Sequence, residues 1–229
     1  MNIVVTGASR GIGYQIVKKL LERGEHSVFA VARSGNELES LQQYGKGDAY
    51  NFLAFNLMQE NYNELISGIT NAFPHVDVLI NNAGLLINKP LADLSDSDFD
   101  NIFQANVKSV FKLVRDLLPH FSDQAHIVNI SSMGGYQGSA KFQGLSLYSA
   151  SKGALGVFTE CLAEELKEQK ICANALALGA VQTEMLSEAF PGYKAPVSAD
   201  EMADFIIDFS MKAHHFINGK IIPVSLSTP

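Results

Sequence analysis

Short apolar runs with β-branched residues recur seven times along the chain, at 2–6 (NIVVT), 27–32 (SVFAVA), 51–55 (NFLAF), 76–81 (VDVLIN), 126–131 (HIVNIS), 171–178 (ICANALAL) and 220–224 (KIIPV). Runs this short and this continuously apolar read as strands buried on both faces. Between them, apolar residues return at helical spacing. Ile16, Val17, Leu20 and Leu21 follow the first run, and Phe99, Ile102, Phe103, Val107, Val110, Phe111, Val114 and Leu117 precede the fifth. Ala150, Ala154, Val157, Phe158, Cys161 and Leu162 precede the sixth. Strand and helix alternating in this way predict an α/β fold, a parallel sheet wrapped by helices on both faces. No repeat, low-complexity tract or Pro/Ser-rich linker divides the chain, so residues 1–229 read as one domain. In such a sheet, ligands bind outside the carboxyl ends of the strands, which makes the segments just after each strand the informative ones.

The first of these is TGASRGIG, Thr6 to Gly13. Gly7 permits a tight strand-to-helix turn, Gly11 lets backbone approach a pyrophosphate, and Gly13 lets the helix pack closely on the strand. The helix N-terminus beyond offers free N–H groups and a positive dipole end to phosphates. Ser9, Arg10 and Ile12 complete the turn. After the second strand, an acid would hydrogen-bond a ribose 2'-hydroxyl and favour NAD(H), whereas a basic residue would accept a 2'-phosphate. The sequence there is AVARSGN, with no acid before Glu37. Arg33, supported by Ser34 and by Arg10, therefore predicts a preference for NADP(H), with NAD(H) as the alternative.

Composition narrows the remaining classes. Acidic residues outnumber basic ones 24 to 17, and no Lys/Arg run tracks a phosphate backbone, which disfavours nucleic acid. No run approaches the ~18 apolar residues of a membrane span, and the N-terminus has no basic leader. Two cysteines, Cys161 and Cys172, are too few for a disulfide framework; both read as small buried hydrophobes in a reducing cytoplasm. His214 and His215 lack partner ligands at metal spacing, so no metal is expected.

TGASRGIG, NNAG at 81–84, Asn106, NISS at 129–132, YSASK at 148–152 and LGAVQT at 178–183 occur in this order. Together they resemble the compact short-chain dehydrogenase/reductase family over essentially the whole length. The resemblance implies a seven-stranded, three-layer Rossmann fold and a catalytic set of Asn106, Ser132, Tyr148 and Lys152. Tyr148 would act as general acid for a developing alkoxide, and as base in reverse. Lys152, one helical turn on, would lower the phenol pKa from ~10 and hold the nicotinamide ribose. Ser132 would hydrogen-bond the substrate oxygen; it is preferred to Ser131 because the family's serine falls second in this pattern. Asn106 would help a water chain deliver protons to Lys152. Asn56, Leu57, Asn82, Ala83, Gly84, Gly179, Val181 and Thr183 resemble further cofactor contacts. Leu178 stands where the family usually has proline, which predicts a less rigid turn.

The loop from Ser132 to Tyr148 and a short substrate segment near 183–198 should border the pocket. Tyr136, Phe142, Leu145, Met185, Leu186 and Phe190 would make its wall apolar, favouring a neutral or hydrophobic ketone, aldehyde or oxoacyl group. The helical segments at 98–118 and 149–168 resemble those that pair subunits in this family, implying a homodimer or homotetramer. A non-catalytic NADP-binding sensor is the alternative from another class. A hydrolase is disfavoured, since GLSLY at 144–148 lacks the last glycine of a nucleophile elbow.

Overall fold

Nine strands and eight helices organise residues 1–226, the part of the chain that the computed structural model describes. The strands are β1 (Asn2–Thr6), β2 (Ser27–Ala32), β3 (Tyr50–Ala54), β4 (Val76–Asn81), β5 (Phe121–Ser132), β6 (Cys172–Leu178), β7 (Val181–Gln182), β8 (Val197–Ser198) and β9 (Ile221–Val224). The helices are α1 (Gly11–Arg23), α2 (Gly35–Ser40), α3 (Asn63–Ala72), α4 (Asp96–Phe103), α5 (Ser109–Leu117), α6 (Ser146–Glu165), α7 (Glu184–Ala189) and α8 (Ala199–Lys212). Seven strands form one sheet in the order β3-β2-β1-β4-β5-β6-β9, with every pair parallel. The expected α/β Rossmann architecture is therefore the observed one; the domain reading extends three residues past the described part.

The chain winds outward from β1 to β3, then crosses back to place β4 on the other side of β1. That reversal opens a crevice at the carboxyl ends of β1 and β4. Alternation along each strand serves two cores. Ile3 and Val5 of β1 pack with Ile16, Leu20, Ile206 and Ile207 of α1 and α8, while Val4 packs with Leu65, Ile69, Leu113 and Leu117 of α3 and α5. Burying each such side chain contributes roughly 1.5–3 kcal/mol, which fixes the strand ends that carry the site.

Several expectations change in detail. β5 begins at Phe121, five residues before the predicted run, and the two-residue strands β7 and β8 pair in a separate small sheet. The segment predicted as one helix over 98–118 is α4 and α5, joined by a π-turn at Gln104–Lys108. Such turns commonly mark functional positions, and this one holds Asn106. On α6 the buried face runs through Ser151, Lys152, Leu155, Gly156, Thr159 and Leu162. The predicted apolar stripe lies largely outside it: Val157 is exposed, and so is Cys161, which corrects the reading of that cysteine as buried. Helical spacing reports that a face is apolar, not which neighbour covers it.

Candidate active site

The glycine turn is built by exclusion. Gly7 has φ +69°, and a Cβ there would lie 2.8 Å from the Ala83 backbone. Gly13 faces the Gly7 carbonyl and the Asn82 amide so closely that a Cβ would run into both. Asn82 Nδ2 donates to the Thr6 and Gly7 carbonyls at 3.1 and 3.2 Å, and Thr6 Oγ1 accepts from the Asn82 and Ala83 amides at 3.1 Å each. The end of β4 is thus fastened to the end of β1, with Thr6, Asn82 and Gly13 as the structural fasteners. Arg10 occupies the N-cap of α1 without a side-chain cap, and the first turn has no acid. The free N–H groups there suit a phosphate.

A cleft of about 670 Å³ runs over these strand ends. Gly7, Ser9, Arg10, Gly11 and Ile12 border it, as do Arg33, Asn56, Leu57, Asn82, Ala83 and Gly84. Ser132, Tyr148, Lys152, Gly179, Val181 and Thr183 complete the sequence-predicted set on its wall. Ser34 is exposed beside the cleft and does not line it; Thr6, Gly13 and Asn106 lie behind its surface. Arg33 is exposed, whereas Arg10 is paired with Glu188 of α7, at 2.7 Å. Asn56 Oδ1 accepts from the Met58 amide at 3.1 Å and so shapes its own turn. The combination of bare glycine backbone, uncapped helix end and basic residue after β2 fits a nicotinamide dinucleotide.

At the other end of the cleft, α6 and the π-turn assemble four polar side chains. Tyr148 and Ser132 both face the cleft, and Ser132 Oγ accepts from the Gly134 amide at 3.2 Å. Its neighbour Ser131 is buried and donates to the Lys152 carbonyl at 2.9 Å, so its hydroxyl is engaged with the α6 backbone. Lys152 Nζ donates to the Ile130 carbonyl at 2.7 Å. Asn106, fully buried, exchanges hydrogen bonds with Leu85, accepting from its N–H at 2.7 Å and donating to its carbonyl at 2.9 Å. A Cβ at Gly84 would sit 3.3 Å from Asn106 Oδ1 and 3.5 Å from Lys152 Nζ, so this glycine keeps open the space between them.

Burial dominates the electrostatics. It raises the Tyr148 phenol above its ordinary value, with the Ser132 hydroxyl pulling the other way, and it lowers the Lys152 ammonium to about 8. Lys152 is not among the groups that shift the phenol here. The ammonium gives one of its three N–H donors to Ile130 and lies 5.9 Å from the Tyr148 ring centroid. The phenol therefore keeps its proton at neutral pH.

Of the apolar residues expected along the cleft, Phe142, Leu145, Met185, Leu186 and Phe190 line it. Tyr136 does not; its carbonyl instead accepts from Lys141 Nζ at 2.7 Å, and Tyr193 supplies an aromatic wall that sequence reading missed. Residues near 193 carry no periodic signal, so only the folded segment reveals it. The Leu178-Gly179 turn is pinned despite the missing proline, because the Gly179 amide donates to the Val224 carbonyl at 2.9 Å and the residue packs against Ser225. Among the described residues no cluster of His, Cys, Asp or Glu could hold a metal, and no helix is long and apolar enough to cross a membrane.

Known proteins are similar to this chain in sequence and in fold. A family model described as short chain dehydrogenase matches residues 1–194. The fatty acyl-CoA reductase of Acinetobacter baylyi is 35% identical over 213 residues, covering 89% of this chain and 70% of that protein. The 3-oxoacyl-(acyl-carrier-protein) reductase of Aquifex aeolicus is 30% identical over 242 residues, covering 97% and 94%. Among solved structures, a 3-ketoacyl-(acyl-carrier-protein) reductase from Brucella melitensis complexed with NADH superposes with a TM-score of 0.86 at 26% identity, covering 98% of this chain and 96% of that one. The chain is thus a member of the short-chain dehydrogenase family and an NAD(P)-dependent oxidoreductase.

Proposed function

We propose that the protein is an NADP(H)-dependent reductase of a neutral or hydrophobic carbonyl, with Tyr148 as general acid, and as base in the reverse direction. The observation that carries this reading is that Tyr148, Ser132 and Lys152 line one cleft with the glycine turn and Arg33. The bound dinucleotide supplies the hydride. Ser132 donates to the substrate oxygen and orients the carbonyl toward Tyr148. As negative charge grows on that oxygen, the protonated phenol delivers its proton; a phenol raised by burial is already in the acid form that reduction needs. Lys152 binds the nicotinamide ribose, and the Asn106–Leu85 pair lines the route by which solvent protons return toward Lys152.

Gly7, Ser9, Gly11, Ile12, Asn82, Ala83 and Gly84 are assigned to the phosphates and cofactor turn, Asn56 and Leu57 to the adenine side, and Gly179, Val181 and Thr183 to the nicotinamide side. Arg33, with Arg10 and Ser34, is assigned to a 2'-phosphate, supported by the basic residue following β2. The apolar lining and the acyl substrates named for two similar proteins support an oxoacyl or hydrophobic ketone substrate. The reading takes residues 1–229 as one domain with a substrate segment at 183–198, working in the cytoplasm. Exposed Phe99, Phe111 and Val157 on α4, α5 and α6 support a homodimer or homotetramer.

Calorimetric titration with NADPH and NADH, followed by a carbonyl panel read as loss of NADPH absorbance, tests the proposal. Tighter NADPH binding with turnover of a hydrophobic carbonyl is the expected result; tighter NADH binding would reverse the cofactor assignment.

A further inference from the structure

We infer that Glu188 sets the cofactor preference of this chain by competing with the ribose 2'-phosphate for the Arg10 guanidinium. The inference rests on the assignment of Arg10 and Arg33 to that phosphate. Glu188 lies on α7, in the segment that covers the cleft, and its Oε1 is 2.7 Å from Arg10 Nη1. The two side chains keep 48% and 64% of their exposure, so the pair is open to exchange. The neighbouring acid of the same helix faces the same turn, since Glu184 Oε2 would lie 3.4 Å from a Cβ on Gly11. Two carboxylates one helical turn apart thus stand over the glycine turn, where anionic phosphates are to be held.

A guanidinium already paired with a carboxylate offers a 2'-phosphate fewer free N–H groups and little net charge, and the carboxylate itself repels the phosphate. NADPH must therefore displace Glu188 from Arg10, whereas NADH, with a neutral 2'-hydroxyl, gains nothing from doing so. Displacement also removes one tether of α7. Others are the hydrogen bonds from Asn88 Nδ2 to the Ala189 carbonyl, at 2.8 Å, and from Gln182 Nε2 to Ser187 Oγ, at 3.0 Å. Cofactor identity is in this way connected to the hold on the substrate segment.

The test is calorimetric titration of NADPH and NADH into the wild-type chain, Glu188→Gln and Arg10→Ala, with a thermal melt of each to confirm folding. Exposed ion pairs are weak, so Glu188→Gln should bind NADPH about two- to fivefold more tightly, with NADH unchanged. Arg10→Ala should weaken NADPH alone. If Glu188→Gln leaves the NADPH-to-NADH ratio unchanged while Arg10→Ala lowers it, the role of Glu188 is overturned and the phosphate assignment stands. If the wild type prefers NADH and Arg10→Ala does not alter the ratio, the phosphate assignment fails and the inference fails with it.

Discussion

Asn106 Nδ2 donates a 2.9 Å hydrogen bond to Ser151 Oγ, which itself donates to the Tyr148 carbonyl at 2.7 Å. The side chain on the π-turn is thereby connected to the α6 backbone one turn above Lys152. Both residues are fully buried, so neither can turn to water. On the role proposed for Asn106, Ser151 is a positioning residue, acting through it.

Ser151→Ala should lower the unfolding free energy by about 1–2 kcal/mol, because one amide hydrogen of Asn106 loses its buried acceptor. Denaturant unfolding measures this. The positioning role adds a shift in the pH profile of kcat together with lower kcat at unchanged KM, which a purely structural serine would not produce.

Gly13→Ala tests the turn. The new methyl would meet the Gly7 carbonyl and the Asn82 amide, both fixed by the bonds between β1 and β4. The turn must open, and dinucleotide affinity should fall by at least about tenfold, while circular dichroism stays close to that of the wild type. Undiminished binding would show that the turn geometry is not what holds the phosphates.

Lys152 makes stability depend on alkaline pH in a defined direction. Its folded pKa of about 8 lies below the 10.5 of the free side chain, so the folded chain releases this proton first. Below pH 8 the buried charge costs stability, roughly 3 kcal/mol at most, and the cost fades as pH rises from 8 to 10.5. Lys152→Met removes the charge and also leaves the Ile130 carbonyl without its donor. The net expectation is an inactive protein about 1–2 kcal/mol more stable at pH 7, the gain vanishing above about pH 10. Urea unfolding across pH 7 to 10.5 reads both effects.

Much of the fold was legible because a parallel sheet buried on both faces writes itself as apolar runs: Val4 and Val5 of β1 serve opposite cores and both must be apolar. The glycine turn was legible because Gly7 takes a positive φ and Gly13 faces the Gly7 carbonyl six residues back; the part played by Asn82 and Ala83 comes from packing across the fold. What depended on packing across the fold was not. The outward turn of Val157 and Cys161 is set by where α6 meets the sheet, and the π-turn at Asn106 has no sequence period of its own. Likewise the spacing of Tyr148 and Lys152 placed both on one helix face, yet could not show that the ammonium would donate to the Ile130 carbonyl. Nor could it show Arg10 reaching Glu188, 178 residues away.

The central claim is proton transfer by Tyr148, and Tyr148→Phe tests it most directly. With a carbonyl substrate found for the wild type, NADPH oxidation should fall by at least about a hundredfold, consistent with the loss of one general acid, while calorimetry shows NADPH still bound. A variant that binds NADPH and reduces the carbonyl at the wild-type rate would contradict the account.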